Sequence, residues 1–103
     1  MIIRDLIVEQ GVILDLKGPD RAAVFNELLG ALEAAGRLKN RKKCYDDIVR
    51  RERQLGTAIG EGVAIPHACT EGVAQPMLAI GRCAAGIEFD SLDPQPVKLV
   101  FLL

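Results

Sequence analysis

The chain has 103 residues, and those whose types can do covalent or charge chemistry are one histidine, three cysteines and a cluster of arginines and lysines. His67 closes the stretch Leu55-Gly56-Thr57-Ala58-Ile59-Gly60-Glu61-Gly62-Val63-Ala64-Ile65-Pro66-His67-Ala68, which holds three glycines, an apolar strand-like run and a proline. Pro66 fixes its own φ and pushes Ile65 toward extended geometry, so His67 leaves a strand end in a defined direction. Gly60 and Gly62 open backbone conformations closed to other residues, and exposed N–H groups in such a loop suit phosphate oxygens. An unperturbed imidazole titrates near ~6.5, so at neutral pH much of it is neutral, with a ring nitrogen free to attack; histidine is an accepted covalent nucleophile. The same spacing also fits a histidine packed beside a turn and hydrogen-bonded to backbone. The residues alone leave both readings open.

Other chemistries find less support. His67-x-Cys69 offers two ligands where a structural zinc site takes four, and Cys44 and Cys83 stand at no metal-ligand spacing, so no metal and no cofactor is expected. Three cysteines without a CxxC pair do not make a disulfide framework. Gly60-Glu61-Gly62 lacks the spacing of a dinucleotide fingerprint and the lysine of a P-loop.

The charge is near neutral in total and uneven in distribution. Residues 37–53 carry eight of the 13 basic residues (Arg37, Lys39, Arg41, Lys42, Lys43, Arg50, Arg51, Arg53) against Asp46, Asp47 and Glu52, a net +5, and the rest of the chain is acidic. Such a segment favours anionic partners or makes a solvated helix face. Phe25, Tyr45, Phe89 and Phe101 are the only aromatics, too few for a base-stacking platform, so nucleic acid is not the expected partner. The N-terminus has charges at Arg4, Asp5 and Glu9 in place of a signal-peptide apolar core, and no apolar run approaches the ~20 residues of a membrane span. A cytoplasmic protein without membrane insertion is expected.

The elements that must position these residues follow from periodicity. Val12–Leu16 reads as a strand, broken by Lys17-Gly18-Pro19-Asp20. Phe25, Leu28, Leu29 and Leu32 then fall on one helical stripe, with Asp20 as N-cap and Gly36 as C-terminal stop. A second helix runs from Asn40 to about Arg53, with Cys44 and Ile48 on a narrow apolar face and the basic cluster elsewhere. Val63–Ile65, Met77–Cys83 and the almost wholly apolar Val97–Leu103 read as strands, with turns at Gly86 and Asp90–Pro94. The order implies one α/β domain over residues 1–103, a mixed β-sheet sandwiched by helices.

Glu52, Ile59-Gly60 and Val63-Ala64-Ile65-Pro66-His67-Ala68 together resemble the phosphorylation-site signature of the fructose/mannitol-type (type 2) IIA components of the bacterial sugar phosphotransferase system. Gly86–Asp90 and Pro96–Leu103 resemble the family's later strand segments, and the wording Ala-Ile-Pro-His is closer to the fructose and nitrogen-regulatory branches. The resemblance implies that His67 accepts a phosphoryl group from the phosphocarrier HPr or its paralogue and passes it to a IIB domain, or signals through its phosphorylation state. It implies that Arg51, sixteen residues before His67, neutralises the phosphate. Guanidinium suits that part, because its fork donates two hydrogen bonds and never loses charge. The family domain continues beyond the Val97–Leu103 strand through helical structure that supplies a second histidine, whereas this chain has one histidine and stops at Leu103. The resemblance therefore implies a C-terminally incomplete domain, with the final strand covered by a homo-oligomer, by strand exchange or by a lost segment. The alternative it leaves is a non-catalytic regulatory module with the same fold that binds a partner protein.

Overall fold

A computed structural model describes residues 3–18, 20–54, 56–88 and 96–103. Over them the chain runs α1 (Ile3–Leu6), β1 (Ile7–Ile13), α2 (Arg21–Ala34), α3 (Arg41–Gln54), β2 (Ala58–Gly60), β3 (Val63–Ala64), β4 (Leu78–Ile87) and β5 (Val97–Leu102). The five strands form one mixed sheet in the order β1-β4-β5-β3-β2, with β1 parallel to β4 and β3 parallel to β5. β4 and β5 are antiparallel, as are β2 and β3.

Both long helices start and stop where local chemistry dictates. The Asp20 carboxylate accepts from Ala23 N at 2.9 Å, satisfying one of the donors left free at the start of α2. At its end Gly36 takes φ +74, while Gly36 N donates to Glu33 O and Arg37 N to Leu32 O, the pair of bonds of a Schellman cap. Val24, Phe25, Leu28, Leu29 and Leu32 are buried against β1 and β4. Asn40 caps α3 by accepting from Lys43 N at 3.1 Å, and Cys44 and Ile48 are buried beside α2.

The strands depart from the periodic reading in three places. The first strand lies at Ile7–Ile13 instead of Val12–Leu16, because a register irregularity between Ile7 and Val12 puts its buried positions, Val8 and Gly11, three apart instead of two. Leu16 still joins this edge, donating its N–H to Arg82 O at 2.9 Å. β2 was not expected at all. Its partner β3 is reached through the two-residue turn Glu61-Gly62, with φ of 56 and 80, the left-handed pair that a tight hairpin requires. β4 continues through Gly86 to Ile87, where a turn was expected, and the Asp90–Pro94 turn lies outside the described residues.

The final strand corrects a further expectation. β5 bonds β4 on one side and β3 on the other, so it offers no free edge for strand exchange; the sheet edges are β1 and β2. Its apolar composition reflects that central place, with Val97, Val100 and Leu102 buried. Phe101 is half-buried, and Leu103, just beyond the strand, is 48% exposed.

Candidate functional site

His67 follows Pro66 just beyond β3, and the end of the chain braces this position: Leu103 N donates to Pro66 O at 2.9 Å. His67 Nδ1 lies 2.8 Å from the carbonyl oxygen of Ile65. A carbonyl only accepts, so Nδ1 carries the proton, and in the neutral ring the lone pair resides on Nε2. The backbone bond and a nucleophilic nitrogen, alternatives on the sequence, are therefore compatible: one ring nitrogen is tied down and the other keeps its lone pair. An attack by Nε2 would build positive charge on a ring whose Nδ1–H already faces a carbonyl dipole.

Ile65 is itself held. Its N–H donates to Thr57 O at 3.1 Å across the hairpin base. Thr57, 6% exposed, donates its N–H at 3.0 Å and its hydroxyl at 2.5 Å to the Glu52 carboxylate. Glu52 is 5% exposed in the last turn of α3, and its Oε2 also accepts from Arg21 at the start of α2, at 3.2 Å. Also on α3, Asp47 is 3% exposed and pairs with Lys43 at 3.2 Å and with Arg50. The neighbouring Thr70 hydroxyl, with those two cations, holds the Asp47 carboxyl below the usual carboxylate range against the opposing effect of burial. Thr70 Oγ1 accepts from Gly72 N at 3.1 Å, and Gly72 O accepts from Lys39 N at 2.7 Å and Asn40 N at 3.1 Å.

Arg51 is half-buried on α3, directly before Glu52. The structure groups Gly60, Gly62, Pro66 and His67 on the hairpin and strand that lead to the ring, and ties Arg51's helix to them through Glu52 and Thr57. The left-handed backbone at Gly62 is required by the hairpin turn, Gly60 at the end of β2 also takes positive φ, and Gly62 O accepts from both Lys98 N and Leu99 N of β5. Much of the basic cluster is answered internally: Arg41 by Glu33 at 3.1 Å, Lys42 by Asp46 at 2.7 Å, and Lys43 and Arg50 by Asp47.

A cavity of about 500 Å³ opens beside His67, walled by Leu29, Leu32, Ile48, Met77 and Leu102. Cys69, exposed, and Cys44, buried, also line it. Burial pushes the Cys44 thiol up, which makes it a poor nucleophile. Among the described residues no three His, Cys, Asp or Glu side chains gather as a metal site would require.

The residues that the sequence did not single out for the site are Asp47, Thr57 and Thr70. Their signal was weak: acids at positions 47 and 52 share the stripe of Cys44 and Ile48, which in a highly charged helix looks like solvated surface.

The chain is thus a mixed α/β domain that presents its histidine just past a strand, with Nδ1 bonded to a backbone carbonyl. Comparison with known proteins narrows this. The chain belongs to the family described as "Phosphoenolpyruvate-dependent sugar phosphotransferase system, EIIA 2", which matches residues 5–103. It is 39% identical over 103 residues to the fructose-specific EIIABC component of Bacillus subtilis, covering all of this chain and 16% of that protein. It is 35% identical over 104 residues to a nitrogen regulatory protein of Bradyrhizobium diazoefficiens, covering 67% of it. Both branches suggested by the wording around His67 are thus among its relatives. The crystal structure of nitrogen regulatory protein IIA-Ntr from Neisseria meningitidis superposes with a TM-score of 0.78 at 27% identity, over 95% of this chain and 66% of that one. Escherichia coli IIA mannitol, solved in complex with phosphorylated IIB mannitol, shares the fold with a TM-score of 0.78 at 17% identity. The chain spans 16% and 49% of the length of the two fructose-specific relatives it matches, and about two thirds of the solved chains. Among the described residues no helix is long and apolar enough to cross a membrane.

Proposed function

We propose that this domain is a phosphocarrier in which His67 Nε2 takes a phosphoryl group from an HPr-type protein. The group is then passed to a IIB domain, or its presence is read as a signal. The observation that carries the reading is the 2.8 Å bond from His67 Nδ1 to Ile65 O, which leaves Nε2 as the basic nitrogen. In the transfer, the Nε2 lone pair forms the new N–P bond while the bond from phosphorus to the donor's nitrogen breaks, and the electron pair leaves with the donor. The ring becomes cationic as it is phosphorylated, and the Ile65 carbonyl facing Nδ1–H stabilises that charge. Arg51 is assigned the phosphoryl oxygens, a bidentate task for which its guanidinium is suited. The backbone about Gly60 and Gly62 has a supporting part toward the same oxygens, and Pro66 aims the ring. The apolar walls beside His67 reduce the access of water, which would hydrolyse the product.

The test is incubation with phosphoenolpyruvate, enzyme I and HPr-type carriers, followed by mass measurement of an acid-labile, alkali-stable phosphate. His67→Ala is expected to abolish labelling and Arg51→Ala to slow it strongly. Labelling that persists in His67→Ala overturns the assignment.

A regulatory role of the same domain is favoured by the 35% identity to a nitrogen regulatory protein over the whole chain. On that reading a target protein binds the phosphorylated and unphosphorylated forms with different affinity, and a pull-down with each form distinguishes it from transfer alone. A target bound equally by wild type and His67→Ala, with no labelling from any carrier, favours the non-catalytic binding module.

A further inference from the structure

Helix α3 reaches the backbone before His67 through a buried acid. Glu52 takes both the N–H and the hydroxyl of Thr57, and the Thr57 carbonyl takes the N–H of Ile65, the residue whose own carbonyl holds the ring. Glu52 is 5% exposed. Burying a carboxylate is expensive unless its lone pairs are filled, and this one is filled by Thr57 and Arg21. A hydrophobic residue at this position would cover the core at lower cost. What it would not do is fix the backbone segment that leads to His67.

We infer that Glu52 is a positioning residue: acting through Thr57 and Ile65 it sets the ring of His67, keeping Nδ1–H on the Ile65 carbonyl and Nε2 as the nucleophile. This rests on the reading of His67 as the phosphoryl acceptor. The mechanism is geometric. A hydrogen bond to a carbonyl weakens steeply with angle and distance, so a shift of Ile65 by less than an ångström releases the ring to its other tautomer. Orienting partners of functional histidines act on a scale of about 10–100-fold in activity.

The experiment uses the full 103-residue chain labelled with 15N, with the His67 ring nitrogens read directly by long-range proton–nitrogen correlation. Wild type is expected to show the Nδ1–H form. Glu52→Gln and the near-isosteric Thr57→Val are expected to mix in the Nε2–H form. Each should slow phosphoryl uptake about tenfold, with Thr57→Ser restoring both the tautomer and the rate. Folded variants whose His67 tautomer matches wild type overturn the inference, and so does a wild type already in the Nε2–H form. Should Glu52→Gln not fold, Thr57→Val carries the same decision, since it removes one hydroxyl and no charge. A tautomer shift in variants of a protein that takes no label would leave the positioning intact and refute the phosphocarrier reading instead.

Discussion

Gly72→Ala tests how firmly the segment after His67 is seated. A Cβ built on Gly72 would stand 2.5 Å from Cys44 Sγ, 2.6 Å from the Asn40 carbonyl oxygen and 3.2 Å from Cys44 N. The thiol is a short side chain at the buried heart of α3, and the other two atoms are backbone in its first turn. None can retreat, because Asn40 O already accepts from Cys44 N at 3.1 Å and the Asn40 side chain caps the helix. The loop must move instead, which strains its bonds to Lys39 N, Asn40 N and Thr70 Oγ1. Overpacking of this kind costs about 1–3 kcal/mol, which in a domain of this length lowers Tm by roughly 5–20 °C. Gly36→Ala is the control: that glycine has φ +74 but nothing within 4 Å, so it costs only about 1 kcal/mol of backbone strain. Combining Gly72→Ala with Cys44→Ala removes the thiol clash and not the carbonyl one, so the double variant is expected to recover no more than part of the loss. Thermal unfolding followed by circular dichroism decides the matter. A Gly72→Ala protein no less stable than Gly36→Ala would show that the loop is not seated as described.

Other expectations concern charge and backbone strain. Glu61 holds φ 56 in the β2–β3 turn, so Glu61→Asn is expected to be more stable than Glu61→Ala, which loses the same carboxylate, by up to about 1 kcal/mol in a urea titration, and an Asn variant less stable than the Ala one would contradict the turn assignment. The Asp47 carboxyl has a lower pKa folded than unfolded, so its stabilisation is complete above the unfolded value of about 3.9 and fades as pH falls through the folded one. Thermal stability should therefore drop on acidification below about pH 4, with a shallower slope in Asp47→Asn. Arg51→Lys retains charge and loses the fork; phosphoryl uptake should fall at least tenfold with little change in Tm. Uptake equal to wild type would limit Arg51 to a point charge.

Both long helices, their caps and the core stripe of α2 were legible, because a 3.6-residue period and a capping residue are local signals. The apolar final strand was legible as a covered one for the same reason. Its place in the sheet was not: nothing in Val97–Leu103 tells that β3 and β4 flank it, since strand order is decided by pairings far apart in sequence. β1 was misplaced because its bulge breaks the alternation on which the reading depended. At the site, Pro66 and His67 declared themselves by residue type. Glu52 entered only as part of the family signature and Asp47 not at all, since an acid in a helix with eight basic neighbours nearby looks like an ion pair in solvent, and only tertiary burial distinguishes it.

The basic cluster shows what that distinction does to function. On the sequence, residues 37–53 form a +5 patch for an anion of any kind. In the folded chain Arg41, Lys42, Lys43 and Arg50 each meet a carboxylate, and Lys43 and Arg50 share one buried acid, Asp47. The cations of α3 thus serve two ends: some neutralise a buried acid of their own helix, and Arg51 stands directly before Glu52, the acid that holds Thr57. A helix with the same net charge but its acids on the outer face would attract the same anions and hold no histidine in place. The arrangement of charge along α3, more than its amount, is what makes the helix a platform for His67.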